Sequence, residues 1–493
     1  MPLDRFMIAP INSGMQKDQK PWLIPDDAFA ELTNAFIFRG WVRKRLGSTL
    51  MNGYVASNIS QLYSRLRIKV GTTAAGTGNL VATIMPGTAW KIGQIFSVGD
   101  TIFTAYQANG ATYTTGAATA TYNTATGSLV ITGNTENPST DVYFYPSTPV
   151  MGLVTYNALS VNNEPTIAFD TQFAYQYSGT AWARAGTAVW TGTDSQFFWA
   201  TNWRGVYAQD FILFVTNFNA TDKIKYWNAT TWTDLNPVLN AGGTTLESAR
   251  MIVAWKDRLI CLNTLEKTGV TTSQFVSRAR WCQNGTPLVT ADINAWREDI
   301  TGKGLFLDAA VKEQIISCAF IKDRLIVYFE KSTWELVSTG NNAMPFFWQR
   351  INQELGVEST FSAIPFDKVV VGMGMTGVHA CNGANVDRVD QKIPYAVFNI
   401  SNENNGPERV YGIRDYYTQM AYWAFPDDKF DSTYPNKVMV FNYLNGSWAF
   451  FEDSITCFGY YQGQPDATWE STGQTWEEYV ETWDAASSQL AFR

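Results

Sequence analysis

The groups in this chain that could do chemistry are one histidine, five scattered cysteines and 44 acidic side chains. A single histidine, His379, removes multi-histidine metal centres and every Ser–His–Asp arrangement except one built on that residue. It sits in VGMGMTGVHACNG among apolar, strand-like residues, which favours a structural role. Cys261, Cys282, Cys318, Cys381 and Cys457 include no Cys-x-x-Cys pair. An odd number of cysteines spread through apolar runs reads as reduced, buried thiols. That fits assembly in a cytosol better than a secreted disulfide framework.

Catalytic signatures are sparse. The sequence has no G-x-S-x-G elbow, no Walker A loop and no H-E-x-x-H. GMGMTG at 372–377 lacks the spacing of a dinucleotide loop and sits in a β-like stretch with no helix after it. Carboxylate pairs of the glycosidase kind can be drawn anywhere among 44 acids, so the count selects none. Near the C-terminus, Thr468-Trp469-Glu470, Thr475-Trp476-Glu477 and Thr482-Trp483-Asp484 recur every seven residues. Glu470, Glu477 and Asp484 are ligands a hard cation accepts, but a solvated acidic face with tryptophans packed on the rest of the protein is the simpler reading. No enzyme and no cofactor is expected. The one dense positive run is Arg39, Arg43, Lys44 and Arg45. It could meet DNA phosphates or an acidic partner ring, or it could be a solvated strand.

The elements that must position these groups are strands. Charged residues are only 16%, against about 25% in an average globular protein, while aromatics reach 15%. Thr, Val and aromatics suit pleated surfaces. Three hairpins carry an aromatic residue, a polar turn and then Trp: Tyr177 to Trp182, Trp227 to Trp232 and Tyr443 to Trp448. A second unit places an Asp turn between two apolar strands, at Asp210, Asp257, Asp323, Asp367 and Asp415, with spacings of 47, 66, 44 and 48 residues. Strand repeats of roughly 40–50 residues are the signature of propeller blades. Adding the strands from 149 to 182 gives about six blades, with Trp182, Trp232, Trp448 and the five aspartates as the repeat core. A seventh blade would need the N-terminal hairpin or the tail. The wide gap after Asp257 holds DINAWREDITGKGLFLDAAVKEQ, which reads as an inserted loop and short helix.

The expected fold is therefore all-β: a β-propeller with an inserted small antiparallel β domain. Residues 1–66 form an N-terminal segment and hairpin, with its turn at Arg39-Gly40, joining the propeller. Residues 67–148, rich in Thr, Ala and Gly, form the inserted sandwich- or barrel-like domain. Residues 149–455 form the propeller, and 456–493 a Trp- and acid-rich tail packing on it. Net charge is −8, which disfavours tight non-specific duplex binding. No apolar run is long enough to cross a membrane as a helix, and the opening residues lack the apolar core of a signal peptide.

Several stretches resemble the tail proteins of short-tailed bacteriophages. They are LIPDDAFAELTNAFIFRGWVRKRLG, IGQIFSVGDTIFTAYQANG with YPSTPVMGL, FFWATNWRGVY, LIVYFEKSTWELVSTGNNAMPFFWQRINQELG and the TWE-type tail. Such proteins are called packaged-DNA stabilization proteins, tail nozzles or tail tubular proteins. The resemblance implies a propeller subunit of a homohexameric ring in the virion tail, assembled in the host bacterial cytoplasm. Its partners would be portal and adaptor proteins, tail fibres or other tail proteins, and duplex DNA passing non-specifically through the channel. It supplies no catalytic residues. The rival readings are a receptor- or glycan-binding tail propeller and a glycan-degrading propeller enzyme.

Overall fold

The computed structural model describes residues 10–47, 68–72, 74, 80–83, 94–98, 101–105, 111–112, 119–123, 128–132, 141–145, 149–157, 164–177, 179, 181–205, 211–430 and 432–461. The fold is an all-β, six-blade propeller. Each blade is a meander of four antiparallel strands. Blade I comprises Gly152–Thr155, Thr166–Phe169, Ala174–Tyr177 and Trp182–Arg184, and blade II comprises Trp199–Trp203, Ile212–Thr216, Lys225–Trp227 and Trp232–Asp234. Blade III runs through Thr245–Trp255, Arg258–Thr268, Thr271–Trp281 and Leu305–Asp308, and blade IV through Ile315–Ile321, Arg324–Phe329, Thr333–Ser338 and Phe346–Asn352. Blade V has Ile364–Pro365, Val370–Gly374, Gly377–Cys381 and Val386–Arg388, and blade VI has Tyr411–Asp415, Met420–Phe425, Lys437–Asn442 and Ser447–Phe451.

Blades II–VI and the N-terminal residues to Gly47 form one compact unit. Its strands read as continuous apolar runs because each sheet is covered on both faces. Alternate residues of a strand point to opposite faces. In the second strand of blade III, Leu259 and Cys261 join the core shared with blade II, while Ile260 and Leu262 join the core shared with blade IV. Blade IV repeats the pattern: Leu325, Val327 and Phe329 face blade III, and Ile326 and Tyr328 face blade V. The same rule explains RLICL and RLIVYF, and it sets the blade rhythm. The wide spacing after Asp257 has its own cause. Three strands of blade III are 11 residues long, and residues 282–304 loop out before the fourth. The expected short helix in 292–314 is absent; that stretch consists of turns and bends around the fourth strand, Leu305–Asp308. Trp296, fully buried with Nε1 donating to the Pro287 carbonyl at 2.8 Å, anchors those turns.

Among the described residues, the N-terminal segment adds no seventh blade. Strands Ala35–Phe38 and Trp41–Lys44 form a hairpin around Arg39-Gly40, both at positive φ (51° and 81°), the geometry of a two-residue turn that matches strand twist. Ahead of it, residues 32–34 lie parallel to the outer strand of blade VI: Phe450 N donates to the Leu32 carbonyl at 3.0 Å, and Asn34 N donates to the Phe450 carbonyl at 2.8 Å. Asn442 Nδ2 donates to the Ile37 carbonyl at 2.9 Å. Gly14, at φ +70°, packs so closely here that a Cβ would lie 2.5 Å from that of Ser447.

The second compact unit comprises residues 48–194 and 229–232. It contains blade I and the inserted β domain. The insertion has two sheets. One orders Leu80–Thr83, Ser128–Thr132, Thr119–Asn123 and Ala111–Thr112. The other continues blade I itself: Trp182–Arg184 pairs in parallel with Ile68–Thr72, followed by Asp141–Tyr145, Gln94–Val98 and Thr101–Ala105. The insertion thus shares a hydrogen-bonded sheet with a blade instead of joining only through its two ends. Lys69 and Thr72 both reach the Asp141 carboxylate, at 2.8 and 2.7 Å, fixing that register.

Candidate functional site

Both sequence repeats map to one end of each meander. Strand direction alternates, so the first-to-second and third-to-fourth turns must lie at the same end. The aspartates occupy the former. Asp257 stands in a two-residue turn with Lys256, both near φ +50° (51° and 55°). Asp323 accepts hydrogen bonds from Trp255 Nε1 at 3.2 Å and from Lys256 Nζ, tying the turn of blade IV to that of blade III. Asp367 lies 3.6 Å from Arg414 of blade VI. Asp415 caps its own loop, accepting from Tyr417 N at 2.8 Å and Thr418 Oγ1 at 2.5 Å. Asp210 lies outside the described residues. These roles are structural: the aspartates shape turns and join neighbouring blades.

The three repeat tryptophans are placed differently. Trp182 opens its strand directly opposite Tyr177 and is buried. Trp448 sits one residue further from its turn, opposite Phe441, because Ser447 takes the place opposite Asn442. A one-residue shift reverses the face of the sheet. Trp448 is buried against Phe441 and Trp423, with centroids 4.4 and 6.3 Å away. Trp232 is only partly buried; its ring meets Phe169 and Trp190, and its Nε1 donates to the Ala185 carbonyl at 2.9 Å. The Trp469, Trp476 and Trp483 repeat lies outside the described residues, as does the rest of the tail beyond residue 461.

The basic cluster lies on the N-terminal hairpin. Arg45 is spent locally, in an ion pair with Asp453 at 2.5 Å. Arg39 and Arg43 stack their guanidinium groups over the Phe38 ring, at 5.1 and 4.4 Å. Together with Lys44 they have no acidic partner among the described residues. All four residues of the strand Trp41–Lys44 are exposed, with Trp41 at 73% and Val42 at 41%. Phe38 and Trp41 close the turn, and Arg45 N bonds back to the Asn34 carbonyl at 2.9 Å. By antiparallel alternation, the backbone groups of Val42 and Lys44 then face outward. The hairpin therefore offers an open strand edge, an exposed indole and three unneutralised cations on a rigid mount.

Sequence reasoning missed a polar cup at the axis of the larger unit. The first strands of blades II–VI crowd together there. Ser195, Gln196, Phe197, Asn217, Phe218, Arg250, Gln274, Gln314, Thr360, Phe361, Asn405 and Glu408 line a cavity of about 310 Å³. A neighbouring cavity of about 420 Å³ shares Gln314, Asn405 and Glu408 and adds Glu330 and Glu358, whose carboxyl is raised above its usual range by burial.

His379 is buried between blade V and Tyr328 of blade IV. Neither ring nitrogen has a hydrogen-bond partner of good geometry. Burial lowers its pKa to about 4, and the Gly377 backbone and Asp390 offset this only in part. Gly372 and Gly374 make room for the ring: a Cβ on Gly374 would stand 3.2 Å from its Cε1 and 2.3 Å from the Gly356 carbonyl oxygen. The GMGMTG glycines are thus packing residues. All five cysteines are buried and unpaired; burial raises the thiols of Cys282 and Cys457 to about 12. Among the described residues, no group of three or more His, Cys, Asp or Glu is placed to hold a metal ion, and no helix is long and apolar enough to cross a membrane.

No family model matches the chain, and no curated protein matches it. Similar solved structures include the extracellular domain of a putative hybrid two-component system, BT3049, from B. thetaiotaomicron, at 8% identity and TM-score 0.34, covering 61% of this chain and 34% of that one. This chain therefore spans about a third of that protein's length. AztD from Citrobacter koseri, in its apo form, is 9% identical, with TM-score 0.29 over 80% of this chain and 96% of that one. Hsv2 from Kluyvelomyces marxianus is 8% identical, with TM-score 0.26, covering 63% and 67%. Likenesses this distant carry no argument about activity. A six-blade propeller with an open-edged surface fits a binding or structural role.

Proposed function

We propose that this chain is a structural virion protein: one subunit of a ring that forms the tail nozzle of a short-tailed phage, extends the portal and adaptor channel, retains packaged DNA and conducts it during ejection. The observation that supports this most is the exposed strand Trp41–Lys44, which lies within a stretch that resembles that family. Open strand edges recruit further strands, and this one carries Arg39, Arg43 and Lys44 beside it. A ring needs heterologous contacts that close by rotation. A conduit also needs weak DNA contacts, and 36 basic against 44 acidic residues leave no surplus to neutralise phosphates.

Imaging and mass measurement of assembled particles should show six copies on the tail axis; a stable dimer, or a ring of three, would sink the reading. Changing Arg39, Arg43 and Lys44 together to Gln, while leaving the Arg45 ion pair intact, separates the two uses of the cluster. Loss of ring attachment with unchanged weak DNA affinity marks a protein contact. A salt dependence flattened by about one unit of slope per lost charge marks phosphate contacts.

A further inference from the structure

We infer that the axial cup between blades II, III and V is a binding site for a neutral, hydroxyl-rich ligand the size of one sugar ring. The inference stands whether or not the subunit builds a ring. It comes from the way three amides are locked. Asn217 Nδ2 is spent on the Asp222 carboxylate at 2.7 Å, and its Oδ1 is buried with no partner. Gln314 Nε2 is spent on the Glu330 carboxylate at 2.7 Å. Gln274 Nε2 donates at 2.9 Å to Asn263 Oδ1, and Asn263 Nδ2 is in turn committed to the Ile315 carbonyl at 3.0 Å. Each amide nitrogen thus has one of its two hydrogens committed to an acceptor outside the cup. What each amide has left for the cup is its carbonyl oxygen and one N–H, an acceptor beside a donor.

One charged donor stands among these amides. Arg250, 9% exposed, gives Nε to Thr360 Oγ1 at 2.8 Å and holds Nη2 3.8 Å from the half-exposed Glu408 carboxylate. The charges therefore nearly cancel. A cation would meet the amide carbonyls, but also the remaining amide N–H groups and the Arg250 guanidinium. A lone carboxylate ligand would suit Arg250, but it would face Glu408 and three oxygens. A ligand whose hydroxyls both donate and accept pairs with these groups without burying net charge. Phe197 and Phe361, with ring centroids 5.8 Å apart, supply an apolar wall for the C–H face of a sugar ring. A volume of about 310 Å³ lies at the lower end of ligand cavities, which favours one ring over a chain.

The test is titration of the full chain with D-glucose, D-galactose and N-acetyl-D-glucosamine, followed by saturation-transfer NMR and calorimetry, with acetate and spermidine as charged probes. At least one neutral sugar should bind, and neither charged probe should bind better. Gln274→Leu and Gln314→Leu should each weaken that sugar about tenfold. Gln314→Leu, whose partner Glu330 is only partly buried, should leave the thermal midpoint in place, whereas Gln274→Leu also strips the buried Asn263 Oδ1 of its donor and should lower it. The inference is overturned if none of the three sugars binds at millimolar concentration. It is overturned equally if acetate or spermidine binds more tightly, or if sugar affinity is the same in both variants as in the parent.

Discussion

Trp448→Ala is expected to destabilise the larger unit by about 3–5 kcal/mol, the range for deleting a large buried aromatic side chain. The indole lies in the core that joins blade VI to blade V and the N-terminal segment, a core that includes Met15, Leu32, Trp423 and Phe425. It is 1% exposed, and Trp423 behind it is held by a 2.8 Å bond from Nε1 to the Ser362 carbonyl, so the site has little freedom to collapse around a void. Trp232→Ala should cost less, because that ring is only partly buried. Denaturant midpoints at constant slope measure both. A loss below about 1 kcal/mol for Trp448→Ala, or a larger loss for Trp232→Ala, would mean that the closing blade is not where this core concentrates.

Acid should weaken the fold through His379. An ordinary histidine titrates near 6.5, whereas burial holds this one at about 4. The unfolded chain therefore takes up a proton as pH falls through 6.5, and the folded chain does not until about pH 4. The contribution to stability is complete above pH 6.5 and shrinks by about 1.4 kcal/mol per pH unit below it. The loss amounts to about 3 kcal/mol by pH 4. The ring faces Tyr328 from blade IV, and Arg388 lies opposite on the neighbouring strand with Asp390 beyond it. Carboxylates titrate in the same window, so the measurement is the difference between the parent and His379→Gln. The parent should lose stability faster between pH 6.5 and 4.5; identical slopes would show that the folded ring titrates normally.

The blade rhythm was readable from sequence because every residue of an interior strand must serve one of two neighbouring blades. RLICL and RLIVYF can be little else. The Arg39-Gly40 turn was readable for a similar reason: two residues at positive φ between short strands leave few alternatives. The register of Trp448 was hidden, since a shift of one residue in the hairpin turns the indole to the other face without altering the motif's appearance. The helix expected in 292–314 failed because turns pinned by Trp296 compete well with helix propensity in a short segment. The axial cup was unreadable in principle. Asn217, Gln274 and Gln314 come from three places in the chain, and what makes them a set is which atom each has already committed.

The pairing of residues 32–34 with Phe450 also sets a timetable. Asn34 and Glu452, which bond at 3.0 Å, are separated by 418 residues. At typical synthesis rates of 5–20 residues per second, roughly 20–80 s pass between their emergence from the ribosome. Throughout that interval Leu32, Phe36 and Ile37 lack the strand that buries them, and the Trp41–Lys44 edge has no fixed mount. A nascent or truncated chain that stops before Ser447 cannot seat this hairpin, however well its earlier blades have folded. Protease should cut within residues 10–47 readily in a chain ending at residue 440 and slowly in the full chain; equal cutting would disprove the coupling. The clasp thus acts as a completeness check, in which the exposed hairpin edge takes its final position only on a molecule whose last blade has been made.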